Sequence, residues 1–456
     1  MGISGSGKQP NGSNMRRKRD IIISGFSKLL KEEKLKLVAE YFENPGEVVS
    51  LLKSFWHSDA SQQKLFDEFS ENTISNFYIP YGVVPNVKIN GRTYMVPMVI
   101  EESSVVAAAS SSAKFWSERG GFHSEIISTK KVGQVHFSWT GASLSLFQLM
   151  PQIREHLVNS VTHLTKNMEK RGGGILDIEL IDMTDQIPTY YQLLVTFETK
   201  DSMGANFINS VLEEFGQSLK VFMAEQIQFT DSDRQLEIIM AILSNYTPEC
   251  IVKTWVECPF SELDTVDEQL DGIAFARKFQ TAVRIAQVDV YRATTHNKGI
   301  YNGIDAVAIA TGNDFRAIEA AGHAYAARSG RYQSLSYVEC TDDLFRFVLE
   351  VPMAVGTVGG LTSLHPLAKQ SLEMLGNPTA PELMMIASTM GLANNFSAVK
   401  SLTTKGIQAG HMKMHLFNIL NHFKANEQEK KAAIEYFKDQ TVSFANVETY
   451  IASLRK

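Results

Sequence analysis

The sequence predicts an α+β protein: a large, mainly helical domain, a small α/β module inserted into it, and a helical flap at the C-terminus. Three observations predict it. Leu29, Leu30, Leu35, Leu37, Val38 and Tyr41 form an apolar stripe at helical spacing, and the pattern from about residue 245 onward is again mainly helical. Between these two parts, strand-like and helix-like stretches alternate over roughly 110 residues, as in a compact α/β unit. Residues 412 to 456 are rich in Lys and Glu with scattered aromatics, which reads as a helical appendage rather than core.

The bulk numbers agree with this. The chain has 456 residues, 44% hydrophobic and 21% charged, the ordinary balance of a globular protein with ample residues for a large core. A net charge of −6 leaves no basic excess to hold nucleic acid. No apolar run reaches bilayer length, so no membrane partner is expected. Cys250, Cys258 and Cys340 are an odd number without metal-ligand spacing. They read as reduced thiols in a cytoplasmic protein, and no metal is expected.

Taken in order, residues 1–20 are rich in Gly, Ser and Asn at the start and are expected to be disordered. Gly2-Ile3-Ser4-Gly5-Ser6-Gly7-Lys8 approaches a phosphate loop, but Gln9 stands where Ser or Thr is needed and no strand precedes it. The first part of the large domain covers 21–122. It holds helical residues 27 to 57, a hairpin turning at Asn90-Gly91, and an Ala- and Ser-rich helix over Ser103 to Trp116. The small module covers 123–238. Its strands are Ser124–Ile127, Gln134–Trp139, Ile175–Ile181 and Tyr191–Phe197, and its helices Leu149 to Lys170 and Gly204 to Glu225, with a break at Gly172-Gly173-Gly174. The second part of the large domain covers 239–404. There Asn377-Pro378-Thr379 opens a helix that runs to about Leu402. The flap is 405–456.

Two strings carry most of the chemistry. Thr295-His296-Asn297-Lys298-Gly299 offers a lysine whose compact charge suits a developing oxyanion, although a lone lysine is more often a surface residue. Ala310-Thr311-Gly312-Asn313-Asp314 offers an aspartate sixteen residues on, which alone reads as a helix N-cap. A straight helix would hold the two roughly 24 Å apart. Either the segment bends, or two subunits share one site. Asn302 shares a helical face with Lys298, and Arg292 can bind a carboxylate or pair with a surface acid. Glu101-Glu102-Ser103-Ser104 precedes an apolar helix. Its acids are favourable there in any case, and a buried one becomes a proton donor. His411, after Ala409-Gly410 at the hinge of the flap, is placed to protonate a leaving thiolate once a lid shuts. Asp201-Ser202-Met203-Gly204-Ala205-Asn206 opens a helix whose backbone amides can meet a pyrophosphate, without matching the G-x-G-x-x-G fingerprint.

Together these strings resemble the class II (bacterial-type) 3-hydroxy-3-methylglutaryl-CoA reductases, from about Ser24 to His415. The resemblance also rests on Ser24-Gly25-Phe26, Pro97-Met98-Val99, Ser104-Val105-Val106-Ala107-Ala108, Gly356-Thr357-Val358-Gly359-Gly360 and Gly410-His411-Met412, all in the family's order. It implies a four-electron reduction of a thioester to mevalonate and free CoA. Its implied catalytic residues are Lys298, Glu102, Asp314 and His411, and Arg292, Ser104 and Asn302 hold the hydroxymethylglutaryl group. Asp201, Met203, Gly204, Ala205 and Asn206 bind the dinucleotide, in a homodimer with its active site at the subunit interface. Ser103 departs from the proline common in the family. Counting seven back from Gly172 lands on Thr165, with His163 and Lys166 nearby, where NAD-preferring members carry an acid. A 2′-phosphate tolerates this set, so NADPH is expected over NADH. The rival expectations are an NAD-dependent enzyme oxidising mevalonate and a non-catalytic CoA-binding paralogue.

Overall fold

A computed structural model describes residues 22–267, 269–404, 416–417, 419–438 and 440–455. The chain divides into two compact units, one ending at Pro80 and the other starting at Tyr81. In the first, α1 (Lys31–Ala39), α2 (Pro45–Ser54) and α3 (Ala60–Asp67) replace the single helical stretch expected over 27 to 57. Pro45 opens α2 at its first turn, where its missing N–H costs nothing. The Asp67 carboxylate accepts from the Lys31 ammonium at 2.6 Å and from the Gln63 amide at 2.8 Å, which ties α1 to α3.

The second unit begins with the hairpin β1 (Tyr81–Ile89) and β2 (Arg92–Val99). Asn90 and Gly91 turn it at φ 49° and 85°, the left-handed pair that a two-residue hairpin requires. Then follow α4 (Val105–Ser117), β3 (His123–Thr129), β4 (Lys131–Ser138), α5 (Ser143–Ser160), α6 (Thr162–Glu169), β5 (Gly174–Asp182), β6 (Tyr190–Glu198), α7 (Ala205–Ala224) and β7 (Glu237–Leu243). The remainder comprises β8 (Cys250–Pro259), α8 (Gly272–Val288), α9 (Val290–Ala310), α10 (Phe315–Ala326), β9 (Ser336–Cys340), β10 (Leu344–Pro352), α11 (Leu361–Leu364), α12 (Pro366–Met374), α13 (Ala380–Thr403), α14 (Glu427–Tyr436) and α15 (Phe444–Leu454).

Two four-stranded antiparallel sheets organise this unit. One runs β5-β6-β4-β7, and its apolar side packs on α5 and α7 in a core that includes Phe137, Trp139, Phe197 and Phe215. The other runs β3-β8-β10-β9 and belongs to a separate core with α4, α8, α9 and α13, centred on Trp116, Phe279, Phe347 and Phe396. Beyond residue 245 the chain is mainly helical, as the sequence pattern led to expect, but β8, β9 and β10 are strands it did not show. Polar residues such as Lys253, Thr254 and Glu257 break the apolar run of β8, and a short run of mixed character does not declare its period. Strand β3 pairs with β8, not with the strands that follow it in sequence.

A third cluster, with Leu416, Leu420, Phe437 and Ile451 at its centre, gives the C-terminal helices α14 and α15 a core of their own. Among the described residues no helix is long and apolar enough to cross a membrane.

Candidate functional site

Helix α9 sets the position of the lysine. Asp289 caps it by accepting from the Tyr291 amide, and it continues without a break to Ala310. His296 and Asn297 point inward. The His296 imidazole bonds to Ser336 Oγ at 2.6 Å, and Ser336 Oγ donates onward to Asn395 Oδ1 on α13 at 2.9 Å. Ser336 Oγ thus spends its hydrogen on Asn395, so His296 is the donor through Nε2–H. Its burial, with Arg292 nearby, pulls its pKa down to about 3, which keeps the ring neutral. The Asn297 amide donates to the Gln333 carbonyl and accepts from the Leu335 amide, both at 3.0 Å. These bonds fix the rotation of α9, which leaves the next residue, Lys298, facing outward. Its ammonium donates to Glu102 in a charge-assisted hydrogen bond.

Glu102 sits in the turn before α4. Ser104, at φ 78°, occupies the N-cap position of that helix in a left-handed conformation a serine rarely adopts. A groove of about 350 Å³ opens here. Glu102 and Ser104 line one side, Gly299 and Asn302 of α9 another, and Asn394, Ser397, Ala398 and Lys400 of α13 a third. The helices come this close because α9 and α13 both carry glycine at their crossing. A Cβ on Gly303 would lie 2.2 Å from the Met390 carbonyl oxygen.

A second group of elements meets elsewhere in this unit. The turn at Asp201 leads into α7 through Gly204, at φ 94°. A Cβ there would lie 2.5 Å from the Thr199 methyl, so only glycine fits. The Asp201 carbonyl accepts from Thr357 at 2.8 Å and its carboxylate from the Ala380 amide at 2.8 Å. Gly356 lies against the Met203 amide, and its own N–H donates to Asn313 Oδ1 at 2.8 Å. The next residue, Asp314, caps α10 by accepting from the Arg316 and Ala317 amides. Burial pushes its carboxyl up, but the Arg316 guanidinium and the cap amides outweigh this and hold it below the usual carboxylate range. The glycine loop, the Asp201 turn and the Asp314 turn are therefore one assembly. The open amides at the start of α7 fit a pyrophosphate.

The structure thus brings Glu102, Lys298, Ser104 and Asn302 together and places Asp314 with the Asp201 turn. Helix α9 runs unbroken from Val290 to Ala310. From Lys298 to Ala310 it rises roughly 18 Å before the Asp314 turn begins. Arg292 is half-buried on α9, six residues before Lys298, and burial lowers its pKa. Met203 and Ala205 are half-buried and Asn206 is exposed at the start of α7. Thr165 turns inward and is only 2% exposed, so it presents no side chain to a ligand, while His163 and Lys166 beside it are exposed. That arrangement corrects the role expected of Thr165: a small hydroxyl at a core-facing helix position is buried there with Met168. His411 lies outside the described residues. Among the described residues no group of His, Cys, Asp and Glu gathers to hold a metal ion.

Sequence reasoning missed Lys131. It stands at the start of β4, only 4% exposed, and burial lowers its pKa. Its ammonium donates to Thr199 Oγ1 at 2.5 Å and to the Ser202 carbonyl at 3.2 Å, so it holds the Asp201 turn from beneath. No motif surrounds it, and its partners are some seventy residues away in sequence.

A family model for hydroxymethylglutaryl-coenzyme A reductase matches residues 31–416. The chain is 35% identical over 426 residues to the 3-hydroxy-3-methylglutaryl-coenzyme A reductase of Archaeoglobus fulgidus, covering 92% of each chain. It is 32% identical over 403 residues to a probable 3-hydroxy-3-methylglutaryl-coenzyme A reductase of Borreliella burgdorferi, covering 88% of this chain and 89% of that one. Among solved structures it is similar to the class II 3-hydroxy-3-methylglutaryl-CoA reductase of Streptococcus pneumoniae bound to NADPH in open conformations. The TM-score is 0.67 at 38% identity, covering 84% of this chain and 100% of that one.

Proposed function

This chain belongs to the hydroxymethylglutaryl-coenzyme A reductase family, and we propose that it reduces 3-hydroxy-3-methylglutaryl-CoA to mevalonate and free CoA with two equivalents of NADPH. The observation that carries the reading is the Glu102–Lys298 ion pair beside Ser104 and Asn302 on one groove. A thioester carbonyl becomes an oxyanion as it is reduced. A cation held at that oxygen stabilises the charge, and loss of one such contact costs roughly 3 kcal/mol of barrier. Bound NADPH supplies the hydrides, one for each two-electron step.

Lys298 stabilises the carbonyl oxygen in both steps. Glu102, already bonded to that lysine, is the proton donor for the second. Ser104, Asn302 and Arg292 hold the hydroxymethylglutaryl group, Arg292 as the carboxylate partner. His411 protonates the departing thiolate, whose pKa of about 8.5 suits a histidine acid near neutrality. Asp201, Met203, Gly204, Ala205 and Asn206 receive the dinucleotide at the start of α7. The exposed His163 and Lys166 favour a 2′-phosphate, as does the NADPH held by the similar Streptococcus pneumoniae enzyme.

The working unit is a homodimer in the cytoplasm with a site completed across the interface. The unbroken α9 supports this reading, because Asp314 lies beyond its end, with the cofactor turn of its own chain. The Asp314 of one subunit then meets the Lys298–Glu102 pair of its partner. Mixing Lys298→Ala with Asp314→Ala protein tests it: reassorted dimers recover one intact site in two, and no recovery after demonstrated subunit exchange sinks the trans arrangement. The reaction itself is tested by mixing protein, substrate and NADPH and following the loss of nicotinamide absorbance. CoA binding without NADPH oxidation would identify a non-catalytic paralogue instead. Efficient mevalonate oxidation with NAD, and poor use of NADPH, would identify the degradative direction.

A further inference from the structure

The groove at Glu102 continues along α4 and α13, and small side chains line it: Ala107, Ala108 and Ser111 on α4, Ala398 and Ser401 on α13. Lys400 lines it as well, and its ammonium lies 5.5 Å from the centre of the Phe115 ring and 6.0 Å from that of Phe396. Phe115 is ten residues beyond the first residue of α4, so its backbone lies roughly 15 Å along the helix from the end nearest Glu102, and the Lys400 ammonium rests against its ring. Among the described residues no carboxylate lies within ion-pairing distance of Lys400. Its charged neighbour is Arg119, whose guanidinium carbon lies 3.9 Å from the Phe115 ring centre. Burial, and then Arg119, hold the Lys400 pKa below the ordinary lysine value, as expected of a cation without a counter-charge.

An unpaired cation lining a groove walled by small side chains calls for an anion on a slim tether. Resting on the reading of this groove as the thioester site, we infer that Lys400 binds the diphosphate of coenzyme A and selects the full CoA thioester over truncated ones. The spacing agrees. An extended amide and methylene chain advances at most ~1.2 Å per bond, so the sulfur-to-diphosphate span of CoA is roughly 15 Å. The small side chains leave room for the pantetheine arm, whose amides meet Ser111 and Ser401 on the way.

The test compares three thioesters of the same acid: the CoA ester, the 3′-dephospho-CoA ester and the pantetheine ester, which carries no diphosphate. Lys400→Met raises KM for both nucleotide-bearing esters by about tenfold, the worth of one charge-assisted hydrogen bond, and leaves kcat unchanged. KM for the pantetheine ester stays at its wild-type value, and Lys400→Arg keeps most of the discrimination. An equal rise for all three esters would mean damage to the groove rather than loss of a phosphate contact, and would overturn the assignment. So would an unchanged KM for the CoA ester, or a loss confined to the ester that carries the 3′-phosphate. If wild-type protein oxidises NADPH with none of the three, the thioester reading of the groove fails first, and the role of Lys400 with it.

Discussion

Replacing Gly303 by alanine tests the claim that helix packing sets the site. In isolation the change favours the helix by about 1 kcal/mol, since glycine is the poorer helix former. In place, the new Cβ lies 2.2 Å from the Met390 carbonyl oxygen, 2.4 Å from its carbon and 2.8 Å from the Gly391 nitrogen. All three are backbone atoms of α13, so no side chain can rotate aside. Restoring ordinary contact distances requires α9 to move by roughly 1 Å, and overpacking of this kind costs about 3 kcal/mol at the upper end of the usual range. The net loss is about 2 kcal/mol of stability. Asn302 is adjacent and Lys298 lies little more than one turn away, so the displacement reaches the groove, where a 1 Å error costs up to ~100-fold in rate. Thermal unfolding and steady-state kinetics measure both. Gly391→Ala is the control from the other helix. Its Cβ meets side-chain atoms of Ile304 and Ile300, the nearest at 2.8 Å, and these can adjust, so it is expected to be milder. Gly303→Ala protein that melts and turns over like wild type, or a Gly391→Ala that is the worse of the two, would refute the reasoning.

Other expectations follow from the buried charges. Lys131→Met removes both hydrogen bonds under the Asp201 turn while filling the same space; KM for NADPH should rise about tenfold with KM for the thioester unchanged, and equal KM values for NADPH in the two proteins would disprove the positioning role. Asp305 has its pKa pushed well above the carboxylate range by burial and by the Glu319 carboxylate beside it. The folded state therefore holds a proton that the unfolded state releases near pH 4, and stability falls as pH rises from there through the higher folded value. Asp305→Asn should flatten that fall on the alkaline side, read as melting temperature against pH. His296 acts in the opposite sense: its neutral ring is stabilising above the ordinary histidine pKa near 6.5, and that stability is lost as pH falls toward about 3, so His296→Asn should melt with a shallower acid limb. Finally, kcat/KM should favour NADPH over NADH, and comparable values would remove the cofactor assignment.

The sequence by itself determined the pieces whose rules are local. The Asn90-Gly91 hairpin, the Thr379 cap of α13 with its Glu382 partner, and the glycine before α7 each follow from a few neighbouring residues whose backbone preferences leave one solution. The candidate catalytic strings stand out in the sequence for the same reason, since each is a short run read whole. What the chain could not declare locally was how those runs meet. Glu102 and Lys298 are 196 residues apart, and their pairing depends on His296 and Asn297 locking the rotation of α9 against residues 333–336 and α13. Lys131 and Lys400 carry no motif, because their meaning lies in burial beside a turn or in a missing counter-charge, both properties of packed neighbours. The three strands beyond residue 245 were hidden too, since a sheet is assembled from distant segments and their individual runs are too short to show a period. Tertiary structure alone also decided that Asp314 sits with the Asp201 turn, beyond the end of the helix that carries Lys298. The buried hydrogen bonds of His296 and Asn297 hold the rotation of α9, and that rotation together with the unbroken helix sets where Lys298 and the Asp314 turn lie.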